Sequence, residues 1–184
     1  TYFSSKASLI AALQGAAMQT VLAPYHRAAE QWDDALEESG LDDPAVESLV
    51  RVLAYGQLFL AGPELTPREF EFLQLALTSP VNMVGVDDVT ALTGHALTLL
   101  AEGMVLIEAA VASGAIAAAD PGRGDDPMRR IIRWIGAIEG AYLFSRVRLE
   151  AMSESNAAAF DSHQLGLLAS QDMLLAWGAP PRVL

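Results

Sequence analysis

Helix punctuation constrains this chain more than any other feature of its sequence. Asp43-Pro44, Thr66-Pro67 and Asp126-Pro127 each place a side-chain acceptor at an N-cap and a proline at the first helical position. There the fixed φ of proline suits the helix and its missing N–H costs nothing. Glu69, three residues after Thr66, completes a capping-box pattern. Ends are marked by Gly40, Gly62-Pro63, Ser79-Pro80, Gly114, and Gly178 ahead of Pro180-Pro181. Between these marks apolar residues recur at helical spacing, and no convincing alternating strand appears. The spacing predicts an all-α chain with helices over about 6–39, bent near Pro24, and over about 44–61, 66–78, 86–113, 126–150 and 156–177. Asp120 to Pro127, rich in Gly, Pro and charge, reads as a mobile connection inside one domain, because the helices around it are too apolar to stand alone.

Composition narrows the function. With 184 residues, 52% of them hydrophobic and 18% charged, the chain can bury a full core. Eleven Lys and Arg against 23 Asp and Glu leave a net charge of −12, which by itself opposes nucleic-acid binding, because phosphates must be met by clustered positive charge. The absence of cysteine removes disulfides, thiolate metal sites and Cys nucleophiles, and fits the cytoplasm, where we expect the protein to reside. Glu102 and Glu108 interrupt the most apolar run, His95 to Ala119, short of the roughly 18 to 20 residues a spanning helix needs, so no membrane partner is expected. His26, His95 and His163 form no His-Glu-x-x-His site, and none follows a Glu by three residues. There is no Gly-x-Ser-x-Gly elbow, and Gly122-Arg123-Gly124 lacks a phosphate-loop context. Neither an enzyme, nor a metal, nor a cofactor is expected.

The first nine residues, Thr-Tyr-Phe-Ser-Ser-Lys-Ala-Ser-Leu, open on aromatics and then supply Ser5 as an N-cap to a new helix. This stretch resembles the junction after the DNA-recognition helix in the tetracycline-repressor (TetR) family, where the pattern reads x-[His/Tyr]-Phe-x-[Ser/Asn]-Lys-x-x-Leu. Tyr2, Phe3, Ser5, Lys6 and Leu9 match it. The helix order that follows, and the closing Leu-Leu-Ala-Trp-Gly-Ala-Pro-Pro, resemble the effector-binding and dimerisation region of that family. The resemblance implies a TetR-like effector-binding helical bundle whose C-terminal helices form a dimeric four-helix interface. It makes residues 1–20 the remnant of a helix-turn-helix domain and residues 21–184 the effector-binding and dimerisation domain. Most of the helix-turn-helix, roughly forty residues, would precede Thr1. Thr1, Tyr2 and Lys6 would then touch DNA phosphates, with Lys6 adding charge to a helix N-terminus, while the base-reading side chains lie upstream. Phe3 reads as core.

Two further groups of residues carry the expected sites. In helix 126–150, Ile131, Ile135, Ile138 and Tyr142 form an apolar stripe, and Gly136 and Gly140 leave a smooth strip where another helix can come close. Helix 156–177 adds Phe160, Leu167, Leu168, Leu174 and Leu175. The resemblance makes Gly136, Gly140, Phe160, Leu167 and Leu174 interface residues of a homodimer; an intramolecular core is the other reading. On helix 86–113, His95 and Glu102 lie two turns apart within an apolar stripe, and they face either a cavity or partners in the core. With Tyr55, Gln57, Phe59, Met83 and Trp134 they are the residues expected to line a site for a small, mostly apolar effector. Taken together these features suggest a ligand-responsive transcriptional regulator, a repressor by expectation, that binds operator DNA as a homodimer. The alternative is a helical homodimeric interaction module that binds no DNA.

Overall fold

The computed structural model describes residue 3 and residues 5–78, 89–145 and 161–184. It is all-α, with six helices and no strand among those residues: α1 (Lys6–Ser39), α2 (Pro44–Leu65), α3 (Pro67–Thr78), α4 (Val89–Ala112), α5 (Pro127–Ser145) and α6 (Ser162–Ala176). A short 3-10 turn, Pro121–Arg123, precedes α5.

Most of the punctuation acts as its chemistry dictates. Ser5 Oγ accepts from the Ser8 amide and Ser8 Oγ from the Ser5 amide, both at 3.1 Å, a reciprocal cap that starts α1. Asp43 accepts from the amides of Ala45 and Val46 to start α2, and Asp126 from the Arg129 amide to start α5. Gly40, Gly114 and Gly178 adopt φ of +66°, +75° and +98°, the left-handed conformation that an L side chain resists.

Three expectations change. Gly62-Pro63 does not end a helix; α2 runs on to Leu65, with Pro63 in its last turn, where the chain is about to leave the helix anyway. Thr66 builds no capping box, since both its amide (2.9 Å) and its hydroxyl (3.3 Å) bond the Gly62 carbonyl, leaving the amide unavailable to Glu69. The 120–127 stretch is not a loose connection. Asp120 accepts from the Gly122 amide at 3.0 Å, Gly124 turns at φ +70°, and Asp125 grips Arg130.

The chain divides into two compact units, residues 1–30 with 62–102 and residues 31–61 with 103–184. In the first, Ile10, Met18, Leu22 and Tyr25 of α1 are buried, as are Phe70 and Leu73 of α3. Gly62 is required there, because a Cβ at that position would collide with the Phe70 ring. In the second unit, Leu49, Val52, Tyr55 and Leu60 of α2 are buried, with Ile107 of α4, Ile131, Trp134 and Ile138 of α5, and Leu174 of α6. By length and composition alone α1 and α2 could each cross a bilayer; here both give side chains to a protein core.

Candidate functional site

The last two helices each turn one apolar side inward and another outward. In α5, Ile131, Trp134 and Ile138 recur at helical spacing and are fully buried. Roughly opposite them, Ile132 is 54% exposed, Leu143 50% and Phe144 62%. Gly136 and Gly140 lie between these residues in sequence, and a Cβ on either would meet nothing within 4 Å. In α6, which packs along α5, Leu174 and Ser170 face the core while Leu168 and Leu175 are exposed. The outward faces thus present large apolar side chains beside a strip with no side chains, a surface suited to receiving another helix at close range. Leu174, expected at the interface between copies, has no exposed surface and belongs to the core of its own unit; Leu167 is half-buried. Leu168 and Leu175, rather than Leu174, supply the outward surface. Phe160 lies outside the described residues.

The interior of the same unit is closely packed. Trp134 is fully buried, donates from Nε1 to Ser170 Oγ at 2.9 Å, and lies against Tyr55 with ring centroids 5.6 Å apart. Gly56 leaves room for this, since a Cβ there would come within 3.2 Å of both Ile138 and Ser170. Gly166 does the same for Leu60, whose side chain occupies the space a Cβ would need. Tyr55 and Trp134 are therefore core partners of one another. Gln57 is fully engaged: its Nε2 donates to the His163 carbonyl and its Oε1 pairs with His163 Nδ1, both at 3.0 Å. Phe59 is half-buried.

In the first unit Glu102, 31% exposed, pairs with His26 Nε2 at 3.2 Å, a partner the sequence stripe did not point to. Met83 and the His95 side chain lie outside the described residues. Two concavities among the described residues lie away from these side chains. One of about 320 Å³ in the second unit is lined by Asp33, Glu37, Asp42, Glu47 and Arg51, the arginine bonding both Asp33 and Glu47. Another of about 280 Å³, in the first unit, is lined by Leu13, Ala17, Thr20, Arg68 and Phe72.

At the chain's start Lys6 is exposed in the first turn of α1 and makes no ion pair among the described residues. Thr1 and Tyr2 lie outside them, and Phe3, expected as core, is 42% exposed.

One polar cluster escaped sequence reasoning. Arg130, 3% exposed, sends Nε and Nη2 to Asp125 at 2.9 and 2.6 Å and Nη1 to the Ala117 carbonyl at 2.7 Å, and lies over the Trp177 ring at 5.5 Å. The hydrogen bonds from Arg130 hold the Asp125 carboxyl below its usual range, against an opposing effect of burial. Each guanidinium nitrogen is answered, so the cluster fastens the 117–125 loop to α5 and to the C-terminal turn and leaves no group to act on a ligand. Its signal was the i, i+5 spacing of Asp125 and Arg130 across a helix start, which periodicity does not register. No family model matches this chain, and neither does any curated protein or solved structure.

Proposed function

We propose that this chain is the effector-binding and dimerisation part of a TetR-type transcriptional regulator. Residues 1–20 would belong to the DNA-binding end and residues 21–184 to the regulatory body. The observation that carries the reading is the outward apolar face of α5 and α6, with Gly136 and Gly140 open beside Ile132, Leu143 and Phe144. Two copies joined through such faces would make a four-helix interface, and a closed pairing would hide surface that is costly to expose. Two helix-turn-helix heads held by the dimer at one spacing fit successive major grooves, and a small effector favouring another spacing releases them. Lys6 is exposed in the first turn of α1, which supports a phosphate contact there.

The test is DNA binding by the chain extended through whatever residues its gene encodes upstream of Thr1. Lys6→Ala in that protein is expected to weaken operator and random DNA alike and to lower the salt slope by about 0.9, the loss of one phosphate contact. If the extended protein has no affinity for DNA, the regulator reading falls. The dense packing of Tyr55, Trp134 and Ser170 favours the second reading, a homodimeric interaction module with no effector in this unit, and that outcome would leave it standing.

A further inference from the structure

The interior of the second unit is filled, but its surface at the turn between α1 and α2 is hollowed. Gly40 and the Asp43 cap fold α2 back beside the end of α1, so that Arg51 reaches Asp33 across the turn. Two hollows adjoin there and share Leu36 and Arg51. One, of about 280 Å³, is walled by Trp32, Ala35, Leu36, Val50 and Ala54, and Val50 is left 40% exposed. The other is the hollow of about 320 Å³ that Asp33, Glu37, Asp42 and Glu47 line.

Charge at this turn is not balanced. Residues 33–47 hold seven carboxylates and no Lys or Arg, so the counter-charge has to come from outside the segment. Arg51 answers Asp33 and Glu47 and is held by both. Glu37 and Asp42 face the same hollow and have no ion pair among the described residues. A cation entering it therefore meets four carboxylates against one guanidinium. An apolar body in the adjoining hollow would cover side chains that water now meets. A merely solvated acidic turn would show the first property without the second.

We propose that the paired hollows bind a small organic cation, its apolar body seated against Trp32, Leu36 and Val50 and its ammonium group facing Glu37 and Asp42. Together they have the size of a small-molecule site, roughly 300–1,000 Å³. Each is lined by seven of the described side chains, two of them shared, whereas a stable protein interface engages roughly 20–30 residues a side. A small cation is therefore favoured over a basic polypeptide. The inference goes beyond the regulator reading and does not depend on DNA binding.

The test is a titration of the chain with phenethylammonium at neutral pH, followed by the indole N–H signals in proton–nitrogen NMR. The Trp32 signal, assigned by its loss in Trp32→Phe, should shift and saturate, while those of the buried Trp134 and Trp177 should stay in place. 2-Phenylethanol, the same body without the charge, and ethylammonium, the charge without the body, should each bind at least about tenfold more weakly. High salt should weaken phenethylammonium binding. Glu37→Gln combined with Asp42→Asn should weaken it about tenfold; both side chains are exposed, so the helical circular dichroism should not change. An unmoved Trp32 signal, equal binding of 2-phenylethanol, or equal affinity in the double variant would each overturn the proposal. So would oligolysine shifting the Trp32 signal where phenethylammonium does not, because that would assign the face to a basic polypeptide. Failure of the extended chain to bind DNA, with these results intact, would remove the regulator reading and leave the cation site in place.

Discussion

Replacing Asp125 by Ala removes the one counter-charge that, among the described residues, pairs with a guanidinium only 3% exposed. Three charge-assisted hydrogen bonds, at 2.9, 3.1 and 2.6 Å, go with it, and only the bond to the Ala117 carbonyl remains. Breaking a buried pair by deleting one partner costs about 3–5 kcal/mol, mostly because the other charge stays buried and uncompensated. Asp125 is itself 27% exposed, so water reaches one side of the pair and the lower end, about 3 kcal/mol, is expected. Arg130→Met should cost less: it removes the buried charge itself, and the carboxylate left behind, 27% exposed, can rehydrate. Combining Asp125→Asn with Arg130→Met, which removes both charges, should be milder than Asp125→Ala alone. Urea unfolding followed by tryptophan fluorescence measures this, since Trp134 and Trp177 are buried. The pH dependence has a definite sign. Because Arg130 depresses the folded-state value of Asp125, the stabilisation is complete above the unfolded value near 3.8 and is lost as pH falls through the lower folded value. The wild type should therefore lose an increment of stability on acidification below about pH 4 that Asp125→Ala lacks. A change under about 0.5 kcal/mol at neutral pH would refute the reasoning, since that is the scale of an ordinary surface substitution.

Three other substitutions probe the packing. Ser170→Ala should cost about 1–3 kcal/mol by leaving the fully buried Trp134 N–H without an acceptor, read as a lower urea midpoint at constant slope. Gly56→Ala should lower the thermal midpoint despite the better helix propensity of alanine, because its Cβ would stand 3.2 Å from Ile138 and Ser170 in a filled core. Gln14→Met should raise stability by about 1–3 kcal/mol, since Gln14 is 1% exposed and its Oε1 has no hydrogen-bond partner among the described residues. A loss of stability there would mean the amide is satisfied.

What could be read from the sequence was what local chemistry decides. Asp43, Asp126, Ser5 and the glycines at 40, 114 and 178 act within a few residues of themselves, so their patterns translate directly into helix ends. Thr66 failed because its competitor, the Gly62 carbonyl, exists only if α2 continues past Pro63, and proline read locally as a stop. Of the α5 stripe read from period, Ile131 and Ile138 are buried while Ile135 and Tyr142 are only half-buried, and Trp134, expected at an effector site, completes the buried side; the choice between Leu174 and Leu175 depends on which side of α6 meets α5. Side-chain pairings at long separation were not legible at all. Gln57 with His163 and His26 with Glu102 join residues 106 and 76 positions apart, and spacing along one helix carries no information about either.

The most direct test of the account is sedimentation of the chain at micromolar concentration, alone and with Ile132→Glu and Phe144→Glu combined. Both side chains are more than half exposed, so the charges should leave the helical circular dichroism of each copy unchanged. The account predicts a dimer for the wild type and a monomer for the double variant, because two carboxylates would be forced into an apolar interface. A wild-type monomer, or a double variant that remains a dimer, would contradict pairing through the outward face of the last two helices.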